Sequence, residues 1–409
     1  MIYDQNKHDF NLFLKNWNPE NEYVIYGASK DCVQLIESFN FLLKKNKLKL
    51  KYIIDDDKES LGVYKNIYDI NSASLKPENY REKHVKNNLK VISFNDYMMD
   101  KDQKKLKIII ASDFNFNRIK KFLLSKNFVE DVDFCEYKKI GAIWPFKLEN
   151  KVHLWRTDIL MTEKCTLDCT FCNMYMPHYK KAKHRDINEI KSDVSLYFQK
   201  IDYVSVLHMV GGEPLMYPHF AEALDYIGKN FRSKIGHLLI TTNGTIVPKQ
   251  EVLNLVKKYA CLVYISDYTD GINYRRKFNQ VIDSISKNNI NHLIRKDISW
   301  IDFGDPNVEK FHSVKEQIAH FDSCTAPYRG LNNKKYYYCH LNTSAILAGM
   351  TPLNENDFIS LDKNPKAEEI LKFDLGFPKL GYVTFCKNCN GCNTGINIPV
   401  SPSSQGLRK

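Results

Sequence analysis

Three cysteines within eight residues constrain this chain more than any other feature. They form a C-x3-C-x2-C run, at Cys165, Cys169 and Cys172. Thiolates this close together converge on one centre, and an iron–sulfur cube normally takes four cysteine ligands. The run therefore predicts a [4Fe–4S] cluster with one iron left open for a substrate or cofactor. Structural zinc is the alternative, but zinc usually takes four ligands in paired C-x2-C steps, which the x3 step fits poorly.

Motifs downstream extend the cysteine run into a longer pattern. The motifs Gly211-Gly212-Glu213-Pro214, Thr241-Thr242-Asn243-Gly244 and Ile265-Ser266-Asp267 follow in that order. With Phe171 before the third cysteine, this order resembles the radical S-adenosylmethionine (SAM) superfamily. The resemblance implies that SAM binds the open iron. It also implies that one electron cleaves SAM, and that the resulting 5′-deoxyadenosyl radical abstracts a substrate hydrogen.

The resemblance assigns expected roles to the motif residues. The carbonyl groups of Gly211 and Gly212 would accept hydrogen bonds from the methionyl amine of SAM, and Glu213 would help hold that ammonium group. Further expected cofactor-binding residues are Phe171, Pro214, Thr242, Asn243, Ser266 and Asp267. By its spacing alone, the proline turn is also an ordinary strand-to-helix connection.

A second group of cysteines lies near the C-terminus: Cys324, Cys339, Cys386, Cys389 and Cys392. The group is similar to the SPASM/twitch extension of the same superfamily, which implies a second, auxiliary [4Fe–4S] cluster. The twitch form needs four cysteines, matched by all except Cys392, but Lys334 stands where that form usually has a glycine. Cys392 is surplus and is a candidate hydrogen-atom donor. A closed four-cysteine zinc site is the alternative.

Alternating strand and helix patterns predict an α/β fold. Residues 1–148 are expected to form a Rossmann-like domain, with strands at 23–26, 51–54, 91–94 and 108–111. The turn 27–31 has one glycine where a dinucleotide fingerprint has three, so a structural role and a nucleotide site both stay open. Asp55 stands where a ribose-binding acid would lie.

Residues 149–320 are predicted to form the partial, TIM-like (β/α)6 barrel that the resemblance implies. The expected strands are 152–160, 203–210, 236–242, 261–267 and 291–296. The expected helices are 186–200, 219–231, 249–260 and 273–289. The motifs then fall at the C-terminal ends of strands, where such folds place their active sites. A linker is expected at 141–151, an auxiliary-cluster domain at 321–395, and a mobile Pro/Ser-rich tail at 396–409.

Composition narrows the class of protein. The formal net charge of +11 comes mostly from scattered lysines, and no nucleic-acid-binding motif accompanies it, so a nucleic-acid partner is not expected. No run approaches the ~20 apolar residues of a membrane span, and no signal core is present. The eleven cysteines indicate metal ligation in a reducing compartment. We therefore expect a cytoplasmic protein without a membrane partner.

The expected function is oxidation or epimerisation of a small polar substrate, with a sugar or nucleotide-linked sugar preferred. Arg156 and Asp158 share one face of their strand and suggest a polar barrel interior. His208 and Cys392 are the candidate catalytic residues, and an electron donor such as flavodoxin or ferredoxin is the expected partner. Two alternatives stay open: a peptide-modifying enzyme, and a non-catalytic, metal-stabilised interaction protein on the same scaffold.

Overall fold

The structure is a computed structural model that describes residues 9–27, 49–56, 90–112, 115–296, 300–326, 328–392 and 394–406. The chain divides into two compact units, Met1–Asn150 and Lys151–Lys409. Residues 28–31 of the predicted glycine turn lie outside the described residues, as do Cys32 and the helical pattern expected at 33–39.

The first unit contains a five-stranded sheet with the order β3-β2-β1-β4-β5. All four strand pairs are parallel, and the order is that of a doubly wound Rossmann-like sheet. The strands are β1 (Glu22–Tyr26), β2 (Lys49–Ile54), β3 (Val91–Ile92), β4 (Lys107–Ile110) and β5 (Phe134–Glu136). The helices are α1 (Phe10–Asn16), α2 (Phe94–Met98), α3 (Phe116–Ser125) and α4 (Tyr137–Glu149). The predicted α/β class is confirmed.

The segment 141–151, expected to be a linker, is mostly helical. Helix α4 continues through Pro145 and ends at Glu149. The Trp144 side chain is fully buried, with its ring centroid 4.9 Å from that of Tyr23. Burial of this large ring stabilises the helix enough to tolerate an internal proline, which removes one backbone hydrogen bond.

The second unit contains an eight-stranded sheet with the order β10-β9-β8-β7-β6-β12-β13-β14. Five consecutive parallel strands form its barrel part: β6 (His153–Leu160), β7 (Tyr203–Val210), β8 (Ile235–Thr242), β9 (Leu262–Ser266) and β10 (His292–Arg295). The helices between them are α5 (Ile187–Lys200), α6 (Phe220–Phe231), α7 (Gln250–Lys258) and α8 (Arg275–Lys287). These elements agree with the predicted pattern within a few residues.

The cysteine-rich region continues the same sheet. Strand β12 (Gly330–Asn332) pairs parallel with β6, and β13 (Lys335–Tyr337) and β14 (Phe358–Ser360) follow antiparallel. The remaining helices are α9 (Val314–Ser323), α10 (His340–Leu347) and α11 (Ala367–Asp374). The second cysteine group is therefore joined to the barrel by backbone hydrogen bonds. None of the described helices is long and apolar enough to cross a membrane.

The segment after β10 differs from the expected pattern. Strand β11 (Trp300–Asp302) is absent from the barrel sheet and pairs antiparallel with β15 (Ile398–Val400). The tail expected to be mobile at 396–409 is thus structured as far as its described residues extend, to Gly406. Backbone pairing orders this segment, and its few apolar residues gave no sign of that pairing.

Candidate iron–sulfur and cofactor site

The three cysteines lie in the loop that follows β6, at the C-terminal edge of the barrel sheet. Cys169 is buried, and Cys165 and Cys172 are partly buried. Cys165 and Cys172 pack against Leu160 and Val210, the last residues of β6 and β7. Burial, followed by the charge of Glu213, raises the pKa of Cys165 to about 12. Burial, followed by the charge of Cys172, raises the pKa of Cys169 to about 11. A metal that binds here must therefore displace protons at neutral pH.

Amide groups donate hydrogen bonds to two of the three sulfurs, those of Cys165 and Cys169. The Leu167 N–H and the Asn243 side-chain amide donate to Cys165 Sγ, at 3.4 and 3.6 Å. The Gln405 side-chain amide donates to Cys169 Sγ at 3.4 Å. Such hydrogen bonds stabilise negative charge on cluster sulfurs. The residues therefore fit a three-cysteine cluster, although no described group of His, Cys, Asp or Glu side chains is arranged to hold a single metal ion.

The glycine turn contacts the cysteine loop directly. A Cβ atom on Gly212 would lie 2.2 Å from the Lys164 carbonyl oxygen, and one on Gly211 would lie 2.7 Å from that of Thr162. The Gly212 and Glu213 N–H groups donate to Thr162 and Lys164, at 2.9 and 2.8 Å. Glycine is therefore required here to let the two loops approach each other. Carbonyl contacts to SAM stay a prediction.

Glu213 connects three motifs. Its side chain is fully buried and accepts hydrogen bonds from the Thr242 hydroxyl and the Asn243 N–H, both at 2.8 Å. The Leu215 N–H donates to the same carboxylate at 3.1 Å. Since Asn243 also contacts Cys165, this carboxylate fixes the ends of β7 and β8 beside the cysteine loop. Its expected contact with the SAM ammonium group stays a prediction.

Burial raises the pKa of Glu213 to about 7, against about 4.3 for glutamate in an unfolded chain. The folded state therefore holds a proton that the unfolded state releases between these values, and stability falls as pH rises through this window. We expect the thermal midpoint of cluster-free Glu213→Gln to rise relative to wild type between pH 5 and pH 8. The control Glu222→Gln should not show this trend, because hydrogen bonds from Lys191 and His219 lower the pKa of Glu222. Parallel midpoints for Glu213→Gln and wild type would contradict the expectation.

The other predicted cofactor residues lie at the same edge of the sheet. Pro214 begins a short 3-10 helix, Pro214–Met216. Ser266 is buried at the end of β9, and the Asp267 carboxylate accepts the Thr269 N–H at 2.9 Å. Phe171 is 37% exposed and so does not fill the core. Its expected role in binding the cofactor stays a prediction.

The thiols of the second cysteine group interact with one another through charge; Cys389 is buried and the other four are partly buried. Burial comes first in raising the pKa of Cys386, and Cys324, Cys389 and Cys339 follow. Cys392 interacts through charge with Cys324, and its N–H donates to Cys324 Sγ at 3.3 Å. The four thiols that the twitch pattern selects are thus mutual neighbours, and Cys392 lies at their margin.

A polar cluster lies on the face of β6 opposite α5. Thr157 bonds Tyr197 of α5 at 2.8 Å, so Arg156 and Asp158, its neighbours in β6, point to the opposite face. Arg156 Nε donates to Asp158 Oδ1 at 2.7 Å, and Asp158 Oδ2 lies 2.5 Å from His340 Nδ1. Burial alone would raise the pKa of Asp158, but Arg156 and His208 outweigh it and hold the pKa well below its usual range.

His208, the predicted catalytic residue, is occupied within this cluster. Its Nδ1 lies 2.7 Å from Arg156 Nη2, and its Nε2 lies 2.8 Å from Thr241 Oγ1. Burial, then Arg156, lowers the pKa of His208 to about 4, so the ring is neutral. With both nitrogens engaged, His208 is better explained as a structural member of the cluster than as a proton carrier.

His340 was not identified from the sequence. Its side chain is 6% exposed, its ring lies 4.9 Å from that of Tyr328, and its Nε2 has no hydrogen-bond partner among the described residues. Contact with the Asp158 carboxylate favours the Nδ1–H tautomer, which leaves Nε2 as an acceptor. The only signal in the sequence was its position directly after Cys339.

A family model settles the class of this site. The model of the radical SAM superfamily matches residues 159–294, which contain the cysteine loop, the glycine turn and strands β7 to β9. Residues 159–294 are therefore a radical SAM domain. The cofactors of radical SAM enzymes are a [4Fe–4S] cluster and SAM, as the cysteine run indicated.

Other radical SAM proteins are similar over part of the chain. The antilisterial bacteriocin subtilosin biosynthesis protein AlbA of Bacillus subtilis (strain 168) is 29% identical over 114 residues, which are 28% of this chain. The match covers only 23% of that relative's length. The structure of BtrN with AdoMet and 2-DOIA is 13% identical over 59% of this chain and 96% of its own, with a TM-score of 0.41. The structure of Streptococcus suis SuiB with S-adenosylmethionine is 14% identical over 46% of this chain and 53% of its own, with a TM-score of 0.24.

Proposed function

We propose that this radical SAM enzyme cleaves SAM reductively at a cluster held by Cys165, Cys169 and Cys172, and abstracts hydrogen from a substrate inside the barrel. The observation that carries the proposal is the convergence of these three thiols with the glycine turn and Asn243 at one sheet edge. When bound, the cluster supplies the electron that cleaves SAM, and the products are methionine and a 5′-deoxyadenosyl radical.

The chain's own residues hold and shield this centre. Glu213 locks the turn after β8 against the glycine turn, and Asn243 directs an amide at Cys165. Leu160 and Val210 close the side that faces the barrel, which keeps water from a reactive radical. Thr242, Ser266, Asp267 and Phe171 are the residues we propose to contact SAM.

The test of this proposal needs no knowledge of the substrate. We expect the anaerobically reconstituted protein to form 5′-deoxyadenosine from SAM and dithionite, measured by liquid chromatography. The Cys165→Ala, Cys169→Ala and Cys172→Ala variants should each form none, whereas Cys261→Ala, a buried cysteine away from the site, should match wild type. Product formation by all three variants would overturn the proposal.

We propose that Cys324, Cys339, Cys386 and Cys389 hold an auxiliary [4Fe–4S] cluster, since these four thiols are mutual neighbours. The double variant Cys386→Ala/Cys389→Ala is expected to retain about four irons per chain, against about eight in wild type. Cys392→Ala should keep the full content. Iron and zinc analysis of the reconstituted proteins checks this, and zinc in place of the second set of irons would establish the zinc alternative.

For the substrate we propose a peptide, because the curated relative is named a bacteriocin biosynthesis protein. A sugar or nucleotide-linked sugar is the second candidate, supported by the Rossmann-like first unit. Both classes present N–H or O–H donors that fit the free Nε2 of His340. The reaction we propose is a two-electron oxidation, for which Cys324, Cys339, Cys386 and Cys389 would hold a cluster that supplies an acceptor for the substrate radical's electron. Epimerisation, with Cys392 as hydrogen-atom donor, is the alternative.

Stimulation of 5′-deoxyadenosine formation by a low-molecular-weight extract of the source cells separates the two substrate classes. The extract is tested before and after treatment with a protease that is then removed. Loss of stimulation after protease treatment is expected for a peptide, whereas unchanged stimulation would favour the sugar. We propose that flavodoxin or ferredoxin supplies the electrons in the cytoplasm, where thiols stay reduced.

A further inference from the structure

The C-terminal segment folds back onto the catalytic cysteine loop. Residues 401–406, here called the strap, follow strand β15, whose pairing with β11 fixes their start. The Thr170 N–H donates to the Ser404 carbonyl oxygen, and the Gly406 N–H donates to that of Asp168, both at 2.7 Å. These two bonds make Cys169 and Gln405 an antiparallel bridge.

The bridge geometry brings the two side chains together. Its bonds connect the flanking residues, so Cys169 and Gln405 form a non-hydrogen-bonded pair, the arrangement with the closer Cα atoms and side chains. Gln405 Nε2 donates to Cys169 Sγ at 3.4 Å and to the Ser403 carbonyl oxygen at 2.7 Å. Gln405 Oε1 accepts the Asp168 N–H at 2.8 Å.

This network fixes the orientation of the Gln405 amide. Reversing the amide would place its oxygen against two acceptors, Cys169 Sγ and the Ser403 carbonyl, and its NH₂ against the Asp168 N–H. The orientation with a hydrogen directed at sulfur therefore satisfies all three contacts, and the reverse satisfies none. Within the strap, Ser403 is buried, at 3% exposure, whereas Gln405 is exposed.

We propose that the strap completes the catalytic cluster site, and that Gln405 is a positioning residue that raises the cluster's reduction potential. This inference rests on the proposed assignment of the cluster to Cys165, Cys169 and Cys172. Reduction adds negative charge to the cluster, and an N–H donor at a ligand sulfur stabilises that charge. The strap also holds Asp168 and Thr170, on both sides of Cys169, by backbone bonds, so the ligand is fixed before the metal binds.

The test uses the full-length holoprotein and two variants with a matched control. Gln405→Leu keeps an apolar side chain of similar size over Cys169 but removes the donor. Gly406→Pro removes the N–H that bonds Asp168. Ser404→Ala is the control, because it keeps the carbonyl group that accepts from Thr170 and removes only an exposed hydroxyl, which donates to the Ser401 carbonyl oxygen at 3.3 Å.

In an EPR-monitored redox titration, we expect Gln405→Leu to lower the ratio of reduced to oxidised catalytic cluster about threefold at a fixed potential. A change of this size is expected when one weak hydrogen bond is lost. In hydrogen exchange, Gly406→Pro should speed the Thr170 amide by about tenfold or more, because local opening becomes easier. Ser404→Ala should match wild type in both measurements.

Two results would overturn the inference: a Gln405→Leu titration that superimposes on wild type, or a Thr170 amide that exchanges at the same rate in Gly406→Pro. A wild-type protein that assembles no cluster on these cysteines would instead defeat the proposed function, and the role of Gln405 with it. Hydrogen exchange would then still decide whether the strap is paired. Failure of the strap and failure of the cluster assignment are therefore distinguishable.

Discussion

Gly212→Ala is expected to disrupt the catalytic site. The added Cβ would lie 2.2 Å from the Lys164 carbonyl oxygen and 2.8 Å from Met176 Sδ, and the first of these atoms is backbone, which cannot rotate away. The cysteine loop must then shift relative to the glycine turn, which we expect to lower the free energy of unfolding by about 3 kcal/mol. We expect iron retention and 5′-deoxyadenosine formation to fall about tenfold or more, as found when supporting groups of a metal site are altered.

The matched control is Gly271→Ala. Its Cβ would lie 3.3 Å from Ser403 Oγ, a rotatable side-chain atom, so we expect near wild-type iron content. Equal iron content in Gly212→Ala and Gly271→Ala, measured after the same reconstitution, would contradict the close approach of the two loops.

Asp158→Asn is expected to cause the largest loss of stability. The Asp158 side chain is 1% exposed, and its Arg156 partner is 20% exposed. The uncharged amide side chain of the variant would leave the Arg156 charge uncompensated and His340 without its carboxylate partner. We expect this to lower the free energy of unfolding by about 3 kcal/mol. For a unit of this size we expect the thermal midpoint to fall by about 6–10 °C, measured calorimetrically on the full chain.

Asp270→Asn is the control for this prediction. Asp270 pairs with Arg275 at 2.9 Å, but both side chains are mainly exposed, and such pairs contribute about 0–1 kcal/mol. If the thermal midpoint of Asp158→Asn fell no further than that of Asp270→Asn, the Asp158 carboxylate would not be what holds Arg156.

The sequence predicted the helices and strands well because the spacing of apolar residues along the chain is a local property. Strands such as β4, with Ile108, Ile109 and Ile110, carry continuous apolar runs, as expected when both faces of a parallel sheet are covered. The motifs also fell at the expected sheet edge, since parallel strands end on one side. Arg156 and Asp158 were expected to share one polar face of their strand, and they pair on the face of β6 opposite α5.

The remaining features depend on contacts between distant residues. The hydrogen bonds of Glu213 with Thr242 and Asn243 join it to the end of a different strand, and no local pattern predicted them. His340 reaches Asp158 from 182 positions away, a separation that no local pattern reports. The strap was expected to be mobile because the segment has few apolar residues. Amino-acid composition does not show whether a segment forms backbone hydrogen bonds with a distant part of the chain. Helix α4 was interpreted as a linker because Pro145 was given more weight than the burial of Trp144.

The central claim is a cluster on three cysteines with one iron free for SAM. The most direct test is the EPR spectrum of the reduced Cys386→Ala/Cys389→Ala variant, which should retain only the catalytic cluster, recorded with and without SAM. We predict that SAM changes the spectrum of this cluster, because its methionyl group becomes a ligand of the free iron. A spectrum unchanged by saturating SAM would contradict the claim.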